Sequence, residues 1–288
     1  MRHLRRMRDL THRLQAGSLR AILRALSAFP LSTRRAAIGR LAEALVARTS
    51  LGERPLKNLA LVFPDMPEAE RRALARAAAR ESGRTLAGIW MNDALAEEVA
   101  QVPPEGEGLD VLRDAHAAGT GAILISGHYG QFDAVRHALR AEGMEVGALY
   151  RPSNNVHYDP LFRAGLEMAG QPIIAKGKQG MREMLRHIRA GGFMALLVDQ
   201  YQKGAPKLDF LGHPARTTLS AAELALRYGV PLVPCFAPWG DGAKRIVIEA
   251  PIPPSDPETM MAEFNARLGS WVRRHPSQWY WLHRRWKR

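Results

Sequence analysis

The chain has 288 residues and a hydrophobic fraction of 46%, which suits one large α/β domain or a domain with a helical extension and excludes a disordered or collagen-like chain. Its 41 Lys and Arg against 28 Asp and Glu leave a formal net charge of +13, which favours anionic partners: nucleic acid, anionic lipid, phosphorylated substrates or an acidic carrier protein. A single cysteine, Cys235, excludes an internal disulfide, and no window of 18 apolar residues free of charge predicts a membrane-spanning helix.

The first 40 residues hold ten Arg, no Lys and one acid, Asp9. Within them "GSLRAILRALSA", 17–28, puts Leu19, Ile22, Leu23 and Leu26 on one helical stripe, with Arg20 and Arg24 off it. Such a basic amphipathic helix suits the headgroup region of an anionic membrane, and equally a helix docked on its own domain. Residues 34–48 and 67–93 read as further helices, parted by the proline turn "VFPDMP". "VPPEGEG", 102–108, is the expected linker, dividing a helical region, 1–101, from a catalytic domain, 102–288.

Beyond the linker the pattern alternates. Apolar runs "GAILIS", "EVGALY", "QPIIA", "FMALLVD", "VPLVPCFAP" and "RIVIEAPI" enclose helical patterns near 133–142, 158–169, 179–190, 217–228 and 257–274. This predicts an α/β fold with a largely parallel sheet flanked by helices. Ligands bind beyond the carboxyl ends of such strands. His128 follows the first run, Arg151 follows "ALY", and Asp199 and Gln200 close "FMALLVDQ", so a histidine, an arginine and an acid are expected on one rim.

"ISGHYGQFDAV", 125–135, sets His128 four residues before Asp133 across a strand-to-helix turn, with Gly127 and Gly130 loosening it. A carboxylate on one imidazole nitrogen fixes the tautomer and leaves the other as a base. The bland alternative makes Asp133 a first-turn helix acid and His128 a polar strand end. No metal-ligand spacing surrounds His128, no Gly-x-Ser-x-Gly frames Ser126, and Cys235 lies in an apolar strand. Walker A is absent and "GTGAIL" fails the dinucleotide fingerprint, so no metal and no cofactor are expected. "AKGKQG" places Lys176 and Lys178 before a helix, as a phosphate site or, more simply, a solvated loop. The tail "PSQWYWLHRRWKR" joins Trp279, Tyr280, Trp281 and Trp286 to His283, Arg284, Arg285, Lys287 and Arg288. It reads as a membrane interface, as a single-strand nucleic-acid surface, or as a final element packing its tryptophans on the core.

"NLALVFPDMP", "GHYGQFD", "YRPSNN", "DQ", "FLGHPARTT" and "PSQWYWLHRRWK" occur in an order that resembles the late, lauroyl/myristoyl-type lipid A biosynthesis acyltransferases of bacteria, within the wider lysophospholipid acyltransferase superfamily. The resemblance implies a glycerolipid acyltransferase-like fold. It implies an O-acyltransferase at the cytoplasmic face of the inner membrane, moving an acyl group from acyl carrier protein to a hydroxyl of a phosphorylated glycolipid, the lipid A precursor. The family's His-x4-Asp motif maps onto His128, as base, and Asp133, as its orienting acid. Arg151 maps as an oxyanion or phosphate ligand, Asn155 as the asparagine of its block, and Asp199 as the acid ending the next strand. For His283, Arg284 and Arg285 it implies structural or substrate-phosphate roles, and it does not favour nucleic acid. Gln131-Phe132 departs from the family's frequent Asn-Trp. The Arg-rich start departs from its spanning helix and points to peripheral or monotopic attachment. An acyltransferase for another glycolipid or lysophospholipid, and a non-catalytic basic protein binding membranes or nucleic acid, are the alternatives.

Overall fold

The computed structural model describes residues 2–239 and 244–287, and within them the side chains of all but residues 2–6 and 8. Five helices lead: α1 (Arg2–Leu26), α2 (Leu31–Arg48), α3 (Glu53–Val62), α4 (Glu68–Trp90) and α5 (Asn92–Val99). The expected helix 17–28 is thus the second half of a longer one. The exposed row Met7, Leu10, Leu14 and Ile22 lies on one side of α1. Leu19, Leu23 and Leu26 are half-buried on another, so Ile22 leaves the predicted stripe. α4 packs along α2 because its facing residues are small. A Cβ at Gly83 would lie 2.8 Å from that of Ala42.

The remaining chain runs β1 (Pro104–Glu105), α6 (Gly108–Ala118), β2 (Ala122–Ser126), α7 (Ala134–Ala141), β3 (Val146–Tyr150), α8 (Asp159–Ala169), β4 (Ile173–Ala175), α9 (Lys178–Arg189), β5 (Phe193–Leu197), β6 (Lys207–Phe210), β7 (His213–Arg216), α10 (Ser220–Tyr228), β8 (Leu232–Phe236), β9 (Ile246–Ile248) and α11 (Pro257–Arg274). Seven strands form one sheet in the order β1-β9-β8-β2-β5-β3-β4. All neighbours are parallel except β8 and β9. The sheet is as the apolar runs predict, with two differences. The expected linker contributes β1 at its edge, and "FLGHPARTT" forms part of a separate β6–β7 hairpin.

The continuous apolar runs reflect burial on both faces. Along β2, Ile123 and Ile125 join one core cluster, while Ala122 and Leu124 join another across the sheet. β5 and β8 divide in the same way, Met194 and Leu196 opposite Phe193, and Leu232 and Phe236 opposite Val233 and Cys235. The first cluster also takes in Leu59 and Val62 of α3, Ala75 and Ala78 of α4, and Trp271, Trp279 and Trp281. Helices α3 and α4, before the linker, therefore share the core of the sheet.

Candidate active site

Register, not sequence proximity, assembles the site. β2 and β5 are parallel neighbours with Ser126 opposite Leu197. Two residues beyond each strand stand His128 and Asp199, at the same level past the carboxyl ends. The His128 ring nitrogen Nδ1 lies 2.7 Å from Asp199 Oδ1. The His128 backbone N–H donates to Asp199 Oδ2 at 2.8 Å, and Trp279 Nε1–H donates to the same oxygen at 2.9 Å.

Asp199 is fully enclosed, while the His128 side chain keeps 22% of its surface exposed. Burial alone would raise the Asp199 carboxyl. The His128 charge and hydrogen bonds, with His283 nearby, outweigh it and hold the group well below the usual carboxylate range. An ionised carboxylate only accepts, so the proton between the two side chains sits on Nδ1. The Nε2 lone pair is then free to act as a base.

Asp133, expected to orient His128, does something else. Its Oδ1 accepts from Arg136 Nη1 at 3.0 Å, and both side chains are buried. Arg136 also donates to the carbonyls of Val146 at 3.1 Å and Gly170 at 2.5 Å. The motif acid thus ties the start of α7 to β3 and to the end of α8. The reason lies in the turn. Gly130 is left-handed, with φ +56°, and its backbone N–H bonds Gln278, so the chain leaves His128 toward the tail before α7 begins. A Cβ there would lie 2.0 Å from the Ala237 carbonyl oxygen.

The tail forms the site's other wall. Tyr280 N–H bonds the His128 carbonyl at 3.0 Å, and Asn58 Nδ2 of α3 holds the carbonyls of Trp281 and His283 at 2.8 and 2.9 Å. His283 meets the His128 ring edge-to-face, centroids 4.5 Å apart. Burial, offset in part by Asp199, pushes the His283 pKa down to about 4, so its imidazole is neutral at pH 7. Trp279 and Trp281 pack in the core, as the structural reading of the tail predicts.

A cavity of about 460 Å³ opens beside the dyad. Its walls are mainly apolar and include Leu86 and Ile89 of α4, Phe132, Leu149 and Leu166. The size and lining are those of a small-molecule site. Arg151 and Lys176 lie on it, each directly after a strand end, because Tyr150 of β3 pairs with Ala175 of β4. Lys176 therefore belongs to the rim, whereas Lys178 opens α9 as an exposed residue. Gln200 also lines the cavity.

Three other predicted residues sit elsewhere. Asn155 caps the turn before α8, its Oδ1 accepting from His157 N and Tyr158 N, and its Nδ2 donates to the His12 carbonyl of α1 at 3.0 Å. Arg285 is buried and is no surface ligand for phosphate. It donates to the Arg216 carbonyl at 2.8 Å, to Thr217 Oγ1 at 2.8 Å and to Asn265 Oδ1 at 3.2 Å, and it lies over the Phe210 ring. Burial lowers its guanidinium pKa to about 10. Arg284 is exposed, and Arg288 lies outside the described residues. Sequence reasoning missed Trp279 as a ligand of Asp199 and α4 as a cavity wall; strand register carried the one usable signal, for Asp199.

The profile described as bacterial lipid A biosynthesis acyltransferase matches residues 9–288. The chain belongs to that family. Among similar proteins of the family type is the lipid A biosynthesis lauroyltransferase of Escherichia coli K12, 27% identical over 247 residues, 80% of this chain and 77% of the relative. The lipid A biosynthesis acyltransferase of Haemophilus influenzae is 25% identical over 233 residues, 78% and 72% of the two chains. A phosphatidylinositol mannoside acyltransferase of Mycobacterium tuberculosis is 25% identical over 258 residues, 83% and 78%. In this member of the family His128, Asp199 and the apolar cavity meet at the carboxyl edge of a parallel sheet.

Proposed function

We propose that this acyltransferase moves a fatty acyl group from an acyl thioester of acyl carrier protein to a hydroxyl of a phosphorylated lipid A precursor, with His128 as general base and Asp199 as its orienting acid. The observation that carries the reading is the buried Asp199 carboxylate, 2.7 Å from His128 Nδ1 and held by the His128 and Trp279 N–H groups, beside an apolar cavity.

His128 Nε2 takes the proton of the acceptor hydroxyl as its oxygen attacks the thioester carbonyl. The C–O bond forms and a tetrahedral oxyanion develops. The carbonyl re-forms, the C–S bond breaks, and the leaving thiolate takes the proton back from the imidazolium. Asp199 stays ionised throughout and stabilises the imidazolium. The apolar cavity receives the acyl chain. Arg151 and Lys176 supply positive charge at the rim for an oxyanion or an acceptor phosphate. Asp133 supports the loop through Arg136. The net charge of +13 complements an acidic carrier.

Among the described residues no helix is long and apolar enough to cross a membrane. The exposed row Met7, Leu10, Leu14 and Ile22, with the exposed Arg24 on the same helix, supports peripheral attachment to an anionic membrane, in keeping with the cytoplasmic face of the inner membrane.

The test is the product. Cells with the gene, without it and with His128→Ala are compared by mass spectrometry of lipid A and of total phospholipids. One acyl group is expected to be missing from lipid A in the last two. Unchanged lipid A with another lipid altered overturns the acceptor; wild-type acylation by His128→Ala overturns the mechanism.

A further inference from the structure

Spacing along the chain offers no metal site, yet the fold brings three metal-ligating groups together. One ligand atom each of His128, Asp199 and His283 lies within 4.8 Å of the other two. They come from the end of β2, the end of β5 and the tail, which is why no sequence motif announces them. We propose that these side chains form a binding site for Zn²⁺, and that the ion, when bound, switches acyl transfer off.

The donor set is two imidazoles and one carboxylate, which matches zinc sites with three protein ligands and an open fourth position. The carboxylate is already oriented. Trp279 Nε1–H and the His128 N–H hold its Oδ2, leaving Oδ1 to face the imidazole. The Nε2 of His283 is buried with no hydrogen-bond partner among the described residues. Ligand distances of roughly 2.1 Å require donor atoms roughly 3.4 Å apart in a tetrahedral site. His128 Nδ1 and Asp199 Oδ1 stand 2.7 Å apart, closer than that spacing, and the three ligand atoms lie within 4.8 Å of one another, so the adjustment required is small. His128 and His283 both line the cavity, which gives the ion an entry path and the fourth position a place for water.

The inhibitory consequence rests on the acyl-transfer reading of His128; the binding itself does not. If the ion takes Nδ1, the ring proton moves to Nε2 and the basic lone pair is lost. If it takes Nε2, that lone pair is occupied. Either way His128 accepts no proton from a hydroxyl.

The experiment uses the full chain, stripped of metal by chelator and titrated with ZnCl₂ by calorimetry at pH 7.5. One tight site per chain is expected. Asp199→Asn and His283→Gln should each weaken it about tenfold or more. A paired His12→Gln, His157→Gln variant should not weaken it. Circular dichroism checks that each variant is folded. Co²⁺ gives a second readout, an absorption band of low-symmetry nitrogen–oxygen coordination in the wild type that His283→Gln removes. Absence of a stoichiometric site, or an unchanged affinity in folded His283→Gln, overturns the site. Acyl transfer is then assayed with and without the ion. One-to-one binding that leaves transfer at full rate keeps the metal site and overturns the inhibition, and with it the role of His128 as base.

Discussion

Replacing Asp199 by Asn should cost far more activity than replacing Asp133, although Asp133 is the acid nearer to His128 in sequence. The carboxylate of Asp199 accepts three N–H groups: His128 Nδ1 at 2.7 Å, His128 N at 2.8 Å and Trp279 Nε1 at 2.9 Å. An amide has one oxygen and one NH₂ in that space. With its oxygen toward the two donors of Oδ2, its NH₂ faces Nδ1, and the imidazole proton must shift to Nε2. The reversed amide sets NH₂ against two N–H donors, so the first arrangement wins. The base is then trapped in the wrong tautomer, a change worth about 10⁴ in kcat in a comparable His–Asp system, or about 5.4 kcal/mol at 1.36 kcal/mol per tenfold. Asp133→Asn instead weakens a buried pair whose arginine keeps two carbonyl acceptors. Its cost is stability, about 3 kcal/mol at the low end for a broken buried pair, with Tm lower by roughly 6–12 °C. Single-turnover acyl transfer on folded, Tm-checked protein separates the two. A thousandfold loss in Asp133→Asn, or a loss below tenfold in Asp199→Asn, refutes the assignment.

Arg285→Met should destabilise by about 2–4 kcal/mol, because it strands the buried acceptors on Arg216, Thr217 and Asn265. Arg284→Met should stay within about 0.5 kcal/mol, and urea titrations of the two variants compare them. His137 is buried beside Asn92, and burial lowers its pKa, with Asp133 opposing and Arg136 and Arg140 reinforcing. Its unfolded form binds a proton near pH 6.5 while the folded form does not. Stability therefore falls as pH drops below about 6.5, by at most about 1.4 kcal/mol per pH unit. His137→Gln should remove that part of the slope from unfolding curves between pH 7.5 and pH 5. Leu10→Glu with Leu14→Glu should release the protein from anionic vesicles in a flotation assay while the rate on detergent-dispersed substrate is kept; unchanged flotation refutes the α1 attachment.

The sheet was legible because burial on both faces leaves unbroken apolar runs, and each run quoted from the sequence contains a strand. β1 was not, since two residues at a sheet edge bury too little to leave a pattern. The β6–β7 hairpin was hidden because "KLDFLGHPAR" turns through Leu211 at φ 58° and Gly212 at φ 87°, without a common turn dipeptide at its tip. At the site, the strand-end rule found His128, Arg151 and Asp199 as a set, whereas the motif carried by the resemblance pairs His128 with Asp133; in the structure Asp199 contacts His128 and Asp133 contacts Arg136. Spacing reports what a turn can reach. Register between parallel strands reports what it does reach, and that pairing is a tertiary fact. The same limit explains Arg285, whose basic context in "HRRWKR" resembles a surface patch although its guanidinium lies in the core.

The N-terminal helix gains its meaning from where it is fastened. Asp9 pairs with His157 Nε2 at 2.8 Å, Arg20 donates to the His157 carbonyl at 3.0 Å, and Asn155 Nδ2 holds the His12 carbonyl at 3.0 Å. All three contacts fall on the segment between β3 and α8, the segment that begins with Arg151. One side of α1 is therefore fixed to the segment that follows Arg151 at the cavity rim, and the row Met7, Leu10, Leu14 and Ile22 faces away from that attachment. The row therefore stands across the helix from the segment that leads from Arg151 into α8. Under the proposed function, a membrane that takes up this row lies on the far side of α1 from Arg151, one helix diameter, roughly 10 Å, from the rim where the acceptor hydroxyl would meet His128.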